Sequence, residues 1–259
     1  MVFLHNPNFK KSKLVSSLSS VCLISLASIF NPAYAAHPLV SEDTGTQGVG
    51  GYQVEINTDW LKDDGVKTRI ATATFTRGVL DNLDTFINLP YTLSNPNGFN
   101  DVSIGLKWRF FEADGFSMGL KPEYRLASGD QEKSLGDGRS GEALTLMTQY
   151  EWGAFTWLFN IGSERHRYSD PTKNQESRKQ IHKSSVAMLY AINDEWTVLI
   201  DSGVRSHSNQ QEKSAPQFAL LGLIHQINDD LDLDIGYKKS LNRSETDKQI
   251  SLGITYRFK

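Results

Sequence analysis

From Tyr52 onward the chain alternates apolar and polar residues. Tyr52, Val54, Ile56, Thr58 and Trp60 fall on one side of the pattern, and Gln53, Glu55, Asn57 and Asp59 on the other. Successive side chains of an extended chain point to opposite faces, so a period of two marks a strand with one apolar and one polar face. The period recurs to the C-terminus and predicts strands at 50–60, 66–76, 83–91, 101–111, 116–126, 142–152, 155–164, 181–192, 195–205, 215–226, 231–239 and 248–258. Each is close to the roughly 9 to 11 residues that a tilted strand needs to cross a bilayer. The expected fold is all-β: a closed antiparallel transmembrane β-barrel of about 12 strands.

The connectors support this reading. Those after every second strand are tight and rich in Gly, Asn and Asp: 77–82, 112–115, Gly153-Ala154, Asn193-Asp194 and 227–230. The alternate connectors are mostly longer and more polar, notably 92–100, 127–141, 165–180 and 206–214. Short turns at one end and longer loops at the other are the habit of outer-membrane barrels, whose short turns face the periplasm and whose loops face outward.

Alternation alone does not say which face points inward. About eight strands enclose an interior that side chains can fill, whereas a wider barrel with an apolar interior would be left with voids. The apolar face also carries aromatic residues beside the short turns, Trp108, Phe110, Phe116, Trp152, Phe155, Trp157, Tyr190 and Trp196, with Trp60, Tyr91, Tyr124 and Tyr237 toward the other rim. Two such belts suit membrane interfaces, so the apolar face should meet lipid. Pro122 lacks the N–H that a paired strand uses and calls for a bulge.

Composition adds the compartment. Lys10, Lys11 and Lys13 precede a serine-diluted apolar stretch, Leu14 to Phe30, and the small-x-small pattern Ala33-Tyr34-Ala35. This predicts a cleaved signal peptide over 1–35, a periplasmic segment or plug over 36–49, and a barrel over 50–259. Cys22, the only cysteine, lies in the leader, so the mature chain has no thiol chemistry. Setting the three leader lysines aside from 27 Lys and Arg leaves 24 against 30 Asp and Glu, a net charge of −6, which gives no reason to expect nucleic-acid binding. The mean hydropathy is negative, but a barrel needs only every second residue apolar.

The polar face then becomes the candidate pore lining: Lys67, Arg69, Lys107, Arg109, Lys121, Glu123 and Arg125 among the strands of the first half, with Asp201, Asp232 and Asp234 in the second. Arg77 belongs to the same set. Lys107, Arg109, Lys121 and Arg125 are expected to form a basic strip favouring anionic or polar aromatic solutes. Residues 37–48 lack alternation, and folded into the lumen they would plug it, with His37, Glu42 and Asp43 meeting that strip and Thr44 a further plug residue.

The run Glu42-Asp43-Thr44-Gly45-Thr46-Gln47-Gly48, with Leu89-Pro90-Tyr91, Ser128-Gly129-Asp130 and the aromatic C-terminus, resembles the family of outer-membrane transporters named for the meta-cleavage pathway of phenol degradation. Membership implies passage of aromatic or hydrophobic compounds and no catalytic residues. The strand closing on Tyr256 and Phe258 is similar to the C-terminal signal read by barrel-assembly machinery, although Lys259 follows the aromatic. Outer-membrane lipids, lipopolysaccharide and a small-molecule solute complete the expected partners in a Gram-negative cell.

Two other readings have residues to name. His182-Lys183-Ser184 has the His-x-Ser spacing of outer-membrane lipid hydrolases, in which histidine takes the serine proton. Arg165, His166, Arg167, Lys173, Arg178, Lys179 and Lys183 would let a structural or adhesive barrel bind lipopolysaccharide phosphates. No metal-ligand spacing or cofactor motif is present: Asp229, Asp230, Asp232 and Asp234 read as a turn entering a strand, without the glycine and terminal glutamate of a calcium loop.

Overall fold

The structure is a computed structural model that describes residues 37–259; the expected signal peptide lies outside the described residues. Its elements are β1 (Tyr52–Asp63), β2 (Val66–Leu80), β3 (Leu83–Thr92), β4 (Gly98–Phe99), β5 (Ser103–Ala113), β6 (Phe116–Arg125), β7 (Gly141–Trp152), β8 (Phe155–Arg165), α1 (Pro171–Glu176), β9 (Gln180–Ala191), β10 (Trp196–Arg205), β11 (Gln217–Asn228), β12 (Leu231–Ser240) and β13 (Lys248–Phe258). Each long strand pairs antiparallel with its neighbour in sequence. The first and last strands close the ring in unbroken register from Tyr52 opposite Phe258 to Lys62 opposite Lys248. The result is a closed antiparallel barrel of 12 strands, with β4 as a short extra strand on the end of β3.

Burial fixes which face is which. Along β1, Gln53, Glu55 and Asn57 are buried while Ile56 and Trp60 are exposed, and Ser251, Thr255 and Asp84 are among the most deeply buried side chains. Exposed apolar residues such as Ile161, at 66 %, and Trp152, at 69 %, form the outer face. A surface of this kind is stable only against lipid. Closure satisfies the backbone without leaving a strand edge, the condition for spanning a bilayer with strands.

Register shifts fall at the short-turn end: between Gly78 and Leu80, between Arg109 and Phe111, and between Gln226 and Asn228. An extra residue there reverses the phase, so that Val79-Leu80 and Phe110-Phe111 are each exposed as consecutive apolar pairs. Pro122 is not bulged. The pairs Gly105–Glu123 and Trp108–Leu120 keep one register across it, and the ladder to β5 lapses only at the positions between, where the proline has no donor.

The interior departs from a uniformly polar lumen. Leu158, Ala187, Leu189, Leu199, Phe218, Leu220 and Ile224 form one buried apolar cluster on the inner wall of β8 to β11, and Leu39 packs against it. These strands are apolar on both faces; in Phe218-Ala219-Leu220-Leu221 the exposed Leu221 sits beside the buried Leu220. The polar wall is formed by the remaining strands.

The long-loop end holds the two elements that alternation did not reveal. β4 pairs with the end of β3, and α1 starts on Pro171 behind Asp170, whose side chain accepts from the Lys173 N–H at 2.9 Å. The 126–140 loop is pinned by Asp101, whose carboxylate accepts from the Gly129 and Asp137 N–H groups, and it buries Leu135.

Candidate solute pathway in the lumen

Residues 37–48 run inside the barrel. At one end the His37 Nδ1 lies 2.5 Å from Asp234 on β12, and its Nε2 lies 3.7 Å from Asp59 on β1. Pro38 sits over Gly222 and Gly236, where a Cβ would come within 2.8 and 2.6 Å of its ring, so these wall positions suit glycine. The Val40 and Ser41 N–H groups and the Ser41 hydroxyl all donate to Asp201 on β10. Asn160 on β8 accepts from the Glu42 N–H and donates to its carbonyl. Thr44 bonds Gln149 on β7 and Ser117 on β6, and Gln47 N–H donates to Asp84 on β3. The segment leaves at the short-turn end, where the Gly78 N–H donates to the Gly51 carbonyl and Gly48 lies against Gly78.

Besides the His37 contacts, two lysine–carboxylate pairs join the segment to the polar wall. Glu42 meets Lys121 at 2.5 Å and Asp43 meets Lys107 at 2.7 Å. Burial alone would raise the Glu42 carboxyl, but the attraction of Lys121 and Lys107 outweighs it and holds the group below the usual range. Burial likewise opposes a charged His37, yet its contacts with Asp234 and Asp59 prevail and raise the imidazole to about 9. His37 is therefore a cation among acids. The sequence expectation that it meets the basic strip is corrected, because a protonated imidazole is repelled by lysines.

The segment leaves a cavity of about 400 Å³ along β1, β2, β3, β5 and β6. The cavity extends from Gln53, Thr76 and Asp84 near the short turns to Pro90, Asp101 and Arg125 near the long loops. One side is mainly hydroxyl and amide, with Thr72, Thr74, Asn57 and Asn88 around the carboxyl groups of Glu55 and Asp84. The other presents Glu42, Asp43, Lys107, Lys121 and Glu123, and Phe86, Pro90 and Leu39 add apolar facets.

The proposed strip of four bases is divided. Lys107 and Lys121 face the N-terminal segment. Arg125 turns toward the long loops, 3.6 Å from Glu164 and 3.9 Å from Asp137, while Arg109 pairs with Glu112 at the short-turn rim. Asp201 and Asp234 hold the segment, and Asp232 takes Arg257 at 2.7 Å. Lys67, Arg69 and Arg77 do not line the pore. Their partners are Lys62, Trp60 and Tyr52, which places all three on the outer face. The threonines at 68, 72, 74 and 76 line the inside of β2, and Val66 and Ile70 made that face look like the lipid side.

The uncharged groups Asn160, Gln149, Ser117 and Ser185, the last bonded to the Ser41 hydroxyl at 2.8 Å, escaped sequence reading because any barrel interior supplies such residues. Beyond Arg125, His166 lies 2.9 Å from Asp137 and 3.4 Å from Glu164. Hydrogen bonds donated to these two acids raise its pKa against the opposing effect of burial. Lys183 is drawn to Glu164 at 2.8 Å and Arg167 to Glu142 at 2.7 Å, so part of the basic segment expected to meet phosphate is engaged internally. His182 is exposed on the outer face of β9; among the described residues, the side chain bonded to its ring is Ser163, at 3.3 Å, not a carboxylate.

The model of the family described as "Putative MetA-pathway of phenol degradation" matches residues 37–258. The chain belongs to that family. No curated protein matches it by sequence. Among solved structures it is similar to the NanC porin, at a TM-score of 0.60 and 11 % identity over 80 % of this chain and 99 % of that one. It is likewise similar to the KdgM porin in complex with disordered oligogalacturonate, at 0.60 and 6 % identity over the same shares. These likenesses establish the fold, that of porin-like barrels of the outer membrane.

Proposed function

We propose that the protein is an outer-membrane channel in which small solutes pass along the cavity between residues 37–48 and the wall of β1 to β6, with the short turns facing the periplasm. The observation that carries this reading is the extent of that cavity, from residues beside the short turns to residues beside the long loops. Phe86, Pro90 and Leu39 in its lining suit aromatic or hydrophobic compounds, in keeping with the family's name and with the porin fold of the solved neighbours. No catalytic step is needed for this role.

Planar-bilayer conductance of the purified protein tests it. The full mature chain should give small, resolvable channels, and removal of residues 37–48 should raise their conductance several-fold. A protein that conducts neither with the segment nor without it is not a channel. Liposome swelling with phenol-sized neutral solutes then measures size and apolar preference separately from charge.

A further inference from the structure

The two lysines that line the cavity from β5 and β6 are neutralised by the N-terminal segment rather than by the wall that carries them. The register pairing Gly105 with Glu123 and Trp108 with Leu120 sets Lys107 directly opposite Lys121. Like charges facing one another across a ladder repel, so both require counter-anions. Asp84, the cross-strand partner of Lys107 on its other side, instead accepts the Gln47 N–H. The anions come from Asp43 and Glu42.

The main chain around these acids is anchored independently, by Asp201 at residues 40 and 41 and by Asn160 at both polar groups of residue 42. The Glu42 carboxylate can therefore swing away while the segment stays in place, and that of Asp43 does so by also giving up the hydrogen bond it accepts from the Gly45 N–H at 2.6 Å. The same cavity offers an apolar body its contacts: the Phe86 ring lies 4.8 Å from the Lys121 ammonium, and Leu39 and Pro90 stand nearby.

We propose that Lys121 and Lys107 form a binding site for the carboxylate of a small amphiphilic acid, aromatic or short aliphatic, and that Glu42 and Asp43 are resident counter-ions which such a solute displaces. A solute carboxylate takes the place of one resident acid at a time, so both ammonium groups stay paired and neither lysine is left as a buried lone charge. The tethered acids compete at an effective concentration on the order of millimolar or above, which lowers the solute's apparent affinity accordingly. Arg125, on the same strand toward the long loops, provides an earlier stop for the anion.

This rests on the channel reading and deepens it. The experiment titrates benzoate, benzyl alcohol and benzylamine against channel conductance in the wild type, in Glu42→Gln/Asp43→Asn, and in the variant that adds Lys107→Gln and Lys121→Gln to those two changes. The last keeps the cluster neutral, so that it folds without buried unpaired charges. Benzoate should modulate the wild type in the millimolar range, act at roughly tenfold or more lower concentration on the double variant, and lose its advantage over benzyl alcohol in the quadruple variant. A double variant no more sensitive than the wild type, or benzyl alcohol equal to benzoate, overturns the proposal while leaving the channel intact. Absence of conductance in every form, including one lacking residues 37–48, removes the channel reading and this one with it.

Discussion

Asp201 accepts from two backbone N–H groups and a hydroxyl of the N-terminal segment, all within 2.9 Å. Asp201→Ala leaves the two N–H groups without a partner, at about 1 to 3 kcal/mol for each that water does not reach, while the hydroxyl keeps Ser185 at 2.8 Å. The expected outcome is an intact barrel with a loosened segment, seen as noisier and larger channels in single-channel recording. His37 adds a pH dependence of known sign. Its folded pKa of about 9 lies above the ordinary 6.5, so its contribution is full below about 6.5 and disappears as the pH rises through about 9. Conductance should increase between pH 8 and 10 in the wild type and stay flat over that range in His37→Gln. Among residues, the charges were the legible ones: Glu42, Asp43, Lys107 and Lys121 could be set against one another because charge demands a partner. Asn160 and Gln149 could not, since an amide satisfies many neighbours equally. Lys67 and Arg69 misled because a basic residue near a strand end lies as readily on the lipid face, its head in water.

At the level of elements, alternation located every barrel strand, and the closing pair of β1 and β13 was expected from the terminal strand. What it missed has a common cause: β4 and α1 are too short for a period to register, and β8 to β11 are apolar on both faces, so a period of two says nothing about which side is inside. The apolar inner wall gives the N-terminal segment a second kind of hold. Leu39→Asp places a carboxylate on the cluster of Leu199, Phe218 and Leu220, and should release the first residues of the segment as Asp201→Ala does. Protease cleavage within residues 37–41 of the folded protein in detergent should rise at least several-fold.

For the whole molecule, the outer face sets the energy scale. Ile161, in the middle of β8 and 66 % exposed, is expected to face the centre of the bilayer. Ile161→Arg should cost about 2 to 4 kcal/mol in reversible unfolding from lipid vesicles, whereas an equal change at a rim position costs about 1 or less. The route of the N-terminal segment bears on assembly as well. It bonds in turn to β12, β10, β8, β7, β6 and β3, strands drawn from both ends of the chain. Those partners surround it only when β13 has met β1, so a segment that precedes every strand in the chain finds its seat last. Protection of residues 40–47 from proteolysis then serves as a clock for barrel biogenesis, starting only once the ring has sealed.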